Sequence, residues 1–265
     1  MPAIRHILVP VVFSSRCAWA VRYAARIAKE FKARLLFLHV GQQSEGKALD
    51  DFVARYLGDI SAKTNVVDGD PADRIVELAR ESKTDLIVMP TYMGRFRTFL
   101  IGSVTAKVLH DADCPVLTGV HRYDDSPCPP EKFQNLICAL DESPGCVSLL
   151  HWASDLAQSL SAQLKFVHAM PAVDEYSENC GEVEIRRYFL NQARSRFATL
   201  LAAEPGQPSI DLRGGEVTTV IRDAALFHHA DLVIIGRGHA NRALGLLRTG
   251  TYSIVRNSPC PVISV

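Results

Sequence analysis

The chain has 265 residues, 48% hydrophobic and 22% charged, a composition that builds a packed core and excludes a disordered polypeptide. Its 29 basic and 29 acidic residues cancel, and they do so locally (17 against 15 over residues 1–125, hence 12 against 14 in the rest), which argues against a polyanion-binding face or arm. No apolar run approaches the ~20 residues that span a bilayer. Met1–Ser14 turns polar too soon for a secretion signal, and seven cysteines without CxxC spacing argue against a disulfide framework or zinc site. The expectation is a soluble cytoplasmic protein with no nucleic-acid or membrane partner.

In chain order, strands are expected at Ile7–Val12, Leu35–Val40, Asn65–Val67, Leu86–Met89 and Val116–Val120, apolar on both faces as buried parallel strands are. Ala20, Ala24, Ile27, Ala28 and Phe31 recur at helical spacing after the first strand. Leu49, Phe52, Val53, Tyr56, Leu57 and Ile60 do so after the second. Asp70-Pro71 supplies an N-cap and a first-turn proline for a helix over 71–81. A last helix is expected over Val104–His110. The stretch HRYDDSPCPPEKFQ, 121–134, has three prolines and little periodicity, and reads as a linker.

Beyond it the pattern returns. HILVP at 6–10 matches NLICA at 135–139, an offset of 135 − 6 = 129 that also aligns Ser14 with Ser143, Ala24 with Ala153 and His39 with His168. Later the offset is 146: TDLIVMP at 84–90 matches ADLVIIG at 230–236, and CPVL at 114–117 matches CPVI at 260–263. About 17 extra residues in the second copy account for the change. The expected domains are 1–122 and 133–265, with 123–132 between them. Strands alternating with helices imply a doubly wound parallel sheet in each, with ligands bound at the carboxyl ends of the strands.

The segments ILVPVVFS, LLFLHV, VVDGDPADRIVELARESKTDLIVMP and IGSVTAKVLHDADCPVL in the first copy resemble the universal stress protein family. So do LICALDES, LKFVHA, ADLVIIGRG and SPCPVISV in the second. The resemblance covers nearly the whole chain. It implies two Rossmann-like α/β domains of the adenine nucleotide alpha hydrolase type, each a five-stranded parallel sheet in the order 3-2-1-4-5. It also implies pairing of domains through the last strands, here internally between Val116–Val120 and Val262–Val265, or between two chains in a homodimer. Protein partners of unknown identity are a further expectation.

The resemblance implies ATP, with magnesium, as the ligand. The family signature is an Asp ending the first strand and a G-x2-G-x9-G-[ST] motif after the fourth. The carboxylate would hold adenosine, and the glycines and helix start would hold phosphate. Each copy departs from it. In the first, Val12 stands where the Asp belongs, and an apolar side chain accepts no hydrogen bond. Gly94 and Gly102-Ser103 are kept, but Pro90 replaces the first glycine. In the second, Asp141, Gly236 and Gly238 are kept, while Arg248-Thr249 occupies the place of Gly102-Ser103. Gly250-Thr251 could substitute only if the helix starts late. Val40 and Ala169, ending the second strands, complete the implied nucleotide sites.

Each candidate has a plainer reading. Gly102-Ser103 is either a phosphate cradle or a helix start. Asp141 either faces a ligand, the preferred reading, or caps a turn with Ser143. Arg95, Arg97, Arg237, Arg242 and Arg248 are phosphate donors or a solvated loop, and Thr249 and Thr251 are caps. His39 and His168 are packed strand-end residues, and His228-His229, expected side by side on a helix, face different directions and make a poor metal pair. Cys114 and Cys260 are buried structural thiols. Walker A, GxSxG and HExxH sequences are absent. The function expected is a stress-response binding and regulatory protein with weak adenine nucleotide binding. A nucleotide-independent interaction module is the first alternative and a slow ATPase the second.

Overall fold

The computed structural model describes residues 4–91, 101–119, 129–171, 180–202, 204, 208–237 and 249–265. The first copy runs β1 (His6–Pro10), α1 (Ser15–Phe31), β2 (Arg34–Val40), a 3-10 turn (Gln43–Glu45), α2 (Gly46–Leu57), β3 (Ala62–Val67), α3 (Pro71–Glu81), β4 (Leu86–Pro90), α4 (Ser103–Asp111) and β5 (Val116–Gly119). The second runs β6 (Asn135–Ala139), α5 (Cys146–Leu160), β7 (Gln163–Met170), α6 (Cys180–Leu201), β8 (Ile210–Gly214), α7 (Val217–Phe227), β9 (Leu232–Ile235), α8 (Thr249–Asn257) and β10 (Val262–Ser264).

The chain forms two compact units. One holds residues 2–131 together with 261–265, the other residues 132–260. In the first, parallel strands lie in the order β3-β2-β1-β4-β5, and β10 follows antiparallel to β5, with Ile263 opposite Leu117. In the second, parallel strands lie in the order β9-β6-β7-β8. Central strands need apolar residues on both faces. Accordingly every residue of β4 is buried, as are Ile7, Leu8 and Val9 of β1. Phe37 and its repeat Phe166 are fully buried at the middle of β2 and β7.

The helices follow from their stripes and caps. On α1, Ala20, Ala24, Ile27 and Ala28 are buried, and the Ser14 hydroxyl accepts from the Cys17 N–H at 3.4 Å. Asp70 caps α3 through the N–H groups of Ala72 and Asp73, both at 3.1 Å. Those donors hold its carboxyl below the usual range, the Asp73 N–H foremost. Glu216 caps α7 likewise through Thr219 N–H at 2.9 Å. Ile60 does not belong to the second helix. Gly58, at φ +71°, ends α2 first, in a conformation that side chains rarely adopt.

The duplication recurs in backbone detail. Lys32 and Ser161, 129 apart, both end their helices left-handed, at φ 53° and 52°. Gly69 and Gly215, 146 apart, take φ +131° and +120° just before the N-caps of α3 and α7. The Asp85 carboxylate accepts from the N–H groups of Arg5 and His6, at 2.7 and 2.9 Å. Asp231 does the same for Gln134 and Asn135, at 2.6 and 2.9 Å. Each aspartate thereby ties the approach to the fourth strand of its copy to the start of the first.

Two thiols differ. Cys260 is buried as expected, whereas Cys114 is half-buried, because it sits in the turn ahead of β5. Burial, ahead of the opposing hydrogen bond from Ser258, pushes the Cys260 thiol up to about 12, from an ordinary value of 9.0. Below pH 9 both folded and unfolded chains keep this proton and the stability is unaffected. Between 9 and 12 the unfolded chain releases a proton that the folded chain retains, so stability falls as pH rises. From pH 8 to pH 10 this thiol should account for a loss of about 1.4 kcal/mol. Urea midpoints at the two pH values check it: Cys260→Ala should lose that share of the decline, and equal declines would show that the thiol ionises freely.

Candidate functional site

In the strand order 3-2-1-4-5 successive strands are added outward in one direction from β1 and in the other from β4, and the crevice opens between the carboxyl ends of these two parallel strands. The sequence-derived candidates fall there. Val12 lies two residues beyond β1, Val40 ends β2, and Gly102-Ser103 opens α4. In the second copy Asp141 lies two residues beyond β6, Ala169 near the end of β7, Gly236 directly after β9, and Thr249 at the first position of α8. Gly94, Gly238, the loop arginines 95, 97, 242 and 248 and most of the linker, 121–128, lie outside the described residues.

In the first copy the crevice is lined by the chain's own groups. The half-buried Val12 gives its N–H to Cys17 Sγ at 3.4 Å. Phe13 follows at φ +51°, a region that costs a non-glycine residue energy and that persists only where the surroundings enforce it. That turn lays the Phe13 ring 4.4 Å from the His39 ring and 5.9 Å from Phe52. His39 is buried, as expected. Its Nδ1 lies 2.8 Å from the Val11 carbonyl and its Nε2 3.3 Å from Glu45 Oε2. Both ring nitrogens are engaged, and the ring ties the turn after β1 to the 3-10 turn after β2. Gly102 is the N-cap of α4. It offers no side-chain acceptor to the first turn, and its own N–H goes to the Thr91 carbonyl at 3.0 Å. Ser103 is exposed.

The second copy keeps the scaffold and changes the lining. His168 is buried and its Nδ1 lies 2.9 Å from the Leu140 carbonyl, as His39 relates to Val11. In place of Phe13 stands Glu142, which ion-pairs with Arg196 of α6. No ring covers the histidine from that position; the ring packed on His168 is that of Phe197 on α6, 4.8 Å away. A cavity of about 440 Å³ opens beside His168, Ala169 and Met170, walled by Tyr188, Phe189, Gln192 and Arg196. Asp141 sits at the turn leading to it. Its Oδ1 accepts from Ser143 N–H at 3.1 Å and Ser143 Oγ at 2.5 Å. The turn-capping reading of Asp141 is therefore realised in the structure. Buried Cys146 is pushed up to about 11, by burial first and then by Asp141 and Glu142, so both carboxylates act on the start of α5.

Three readings are corrected. Thr251 is a buried residue inside α8, not a cap, and Thr249 is its first residue. The Gly250-Thr251 pair therefore lies within the helix and cannot open it. His228 ends α7 as its C-cap, and His229 follows left-handed at φ 48° beyond the helix.

The residues that sequence reasoning missed are Phe13, Glu142 and Arg196, with Tyr188 and Phe189. Their signal was present. Positions 13 and 142 are equivalent at offset 129, and the exchange of Phe for Glu there marks one lining apolar and the other polar. On α6, positions 185, 188, 189, 192 and 196 share one helical face. A larger cavity, about 740 Å³, opens where β6 and β7 begin, around Asn135 and Gln163. It lies at the amino ends of the strands and holds none of the candidates, so its size does not make it the functional one. Among the described residues no group of three His, Cys, Asp or Glu side chains could hold a metal ion, and no helix is long and apolar enough to cross a membrane.

A repeated doubly wound parallel sheet, with its loops gathered at the carboxyl ends of the strands, defines a tandem α/β protein of Rossmann-like type. The sequence model of the universal stress protein family matches residues 3–118 and again 132–265, and the chain belongs to that family. A universal stress protein of Methanocaldococcus jannaschii is 30% identical over 139 residues, 43% of this chain and 80% of the relative. One of Methanothermobacter thermautotrophicus is 42% identical over 57 residues, 22% of this chain and 39% of that relative. Among solved structures, a functionally unknown protein of Pseudomonas aeruginosa aligns with a TM-score of 0.74 at 19% identity, covering 100% of this chain and 93% of that one. A universal stress protein of Archaeoglobus fulgidus aligns at 0.69 and 18% identity, covering 100% and 97%. At these identities the two structures speak for the fold alone.

Proposed function

We propose that this universal stress protein acts in the cytoplasm as a ligand-responsive binding protein, and that it takes one adenine nucleotide per chain, weakly, in its second copy. The observation that carries the reading is the exchange at positions 13 and 142. In the first copy Phe13 stands on His39, whose counterpart His168 borders the open cavity of the second. The first copy also lacks a carboxylate, with Val12 in its place. In the second, Asp141 directly precedes Glu142, which lines a cavity whose volume suits a small ligand. The Asp141 bonds to Ser143 hold the carboxylate in one orientation, and a carboxylate is the acceptor type that ribose hydroxyls donate to. The family resemblance names ATP with magnesium. The second copy fits the nucleoside part of that ligand better than its triphosphate, because Arg248-Thr249 replaces the glycine-led helix start.

Titration calorimetry on the full chain with ATP, ADP and AMP, with and without magnesium, tests this. The expected stoichiometry is one, and Asp141→Asn should weaken binding about 10-fold or more through loss of a charge-assisted acceptor. Two sites per chain would refute the closed first copy. No binding of any nucleotide would favour an interaction module.

A further inference from the structure

The Glu142–Arg196 pair crosses the mouth of the second-copy cavity, joining the loop after β6 to α6, and both side chains line the cavity itself. The pair is well exposed, 58% for Arg196 and 46% for Glu142, so it contributes little stability and is released at little cost. Along the same wall Tyr188 and Phe189 stand 5.7 Å apart, ring edge to ring face. Each is substantially exposed, and the Gln192 amide donates to the Tyr188 hydroxyl at 3.0 Å. Arg186, Arg187 and Arg194 are further cations of the same helix. The cavity thus offers flat apolar surface, a few hydrogen-bonding groups and one guanidinium whose resident partner is a removable carboxylate.

We infer that this cavity selects a planar ring carrying a single anionic group, with Arg196 exchanging Glu142 for the ligand's anion. The inference rests on the second copy being the ligand-binding one and adds what that copy prefers. Aromatic faces stack a planar ring. A guanidinium binds phosphate or carboxylate through paired, charge-assisted N–H bonds. Glu142 competes for the same guanidinium and repels the incoming anion. It therefore acts as an internal substitute that the ligand displaces. The outer phosphates of a triphosphate gain nothing in this arrangement, because the anion is read on α6 and not at the start of α8.

The two residues make opposite predictions, and that separates a ligand-reading pair from a structural tie. Calorimetry on the full chain would compare adenosine, AMP, ATP and 2-naphthoate, the last distinguishing any flat anion from a nucleotide. AMP should bind about tenfold or more tighter than adenosine, the yield of one charge-assisted contact. ATP should fall within about threefold of AMP, as expected when only one anion is read. Arg196→Gln should bring AMP down to the level of adenosine, Arg196→Lys should keep part of the gap, and Glu142→Gln should widen it. If both Gln variants shift AMP in the same direction, the pair is only a tie and the inference falls. The same holds if adenosine equals AMP, or if ATP exceeds AMP tenfold or more; in these cases the nucleotide reading survives. If none of the four probes binds, both fall together.

Discussion

Phe166→Ala should destabilise the second copy by about 3–5 kcal/mol, the usual cost of removing a fully buried aromatic ring. Phe166 is 0% exposed and sits in β7 between β6 and β8, opposite Cys138 on one side and Ile210 on the other. The strand is held from both edges, so the backbone has little room to collapse into the space left by the ring, and the loss of transfer free energy is joined by a cavity term. Urea unfolding gives the magnitude. Hydrogen exchange read peptide by peptide gives the place, with faster exchange expected in β6, β7 and β8. A loss below about 1 kcal/mol would show that the ring is not at the centre of its layer, since surface positions alone cost so little.

That ring was legible because strand periodicity and the repeat agree on it: Phe37 and Phe166 are 129 apart and both fully buried. Long apolar runs, a proline after an aspartate and a repeated offset are local signals, and they located the strand cores of both copies except β8, whose run IDLRG is half polar, and the start of α3 at Pro71. Strand ends were less legible. β3 begins at Ala62, three residues before Asn65, because Lys63 and Thr64 pair with Leu36 and Phe37 through backbone, which side-chain polarity does not report. The paired roles of Asp85 and Asp231 were hidden for a similar reason. Each reaches an N–H about 80 or 97 residues away in sequence, a contact that only the closed sheet creates.

The candidate site was half legible. Residue type alone showed that Val12 cannot replace an acceptor and that Arg248 is no glycine. What decided between the copies was the direction of one side chain. Nothing local in VVFS says that Phe13 adopts φ +51° and turns its ring onto His39, because the constraint comes from α2 through Phe52. Nor does a charged helix announce that Arg196 reaches Glu142. Both facts are tertiary, and both lie on the helix that follows the second strand, the element in which the two copies differ most in length (Gly46–Leu57 against Cys180–Leu201).

That difference leads to the second large effect. Ala169→Phe should abolish nucleotide binding, by about a hundredfold or more, because blocking a pocket removes every contact within it. Ala169 lines the cavity near the end of β7, and its small side chain is part of what keeps the space beside His168 open. A phenyl ring there would occupy cavity volume at the end of β7, on the side that Ala169 contributes to the lining. Its backbone partners, Arg213 in the β7–β8 register, need not move, since the new ring extends into open volume instead of packed core. The thermal midpoint should therefore stay within a few degrees of the parent, a range that corresponds to about 1 kcal/mol or less. Gln163→Ala, at the exposed amino end of the same strand, should change neither quantity. Undiminished AMP binding by a folded Ala169→Phe chain would place the ligand elsewhere, and would remove the physical reason for assigning the two copies different roles.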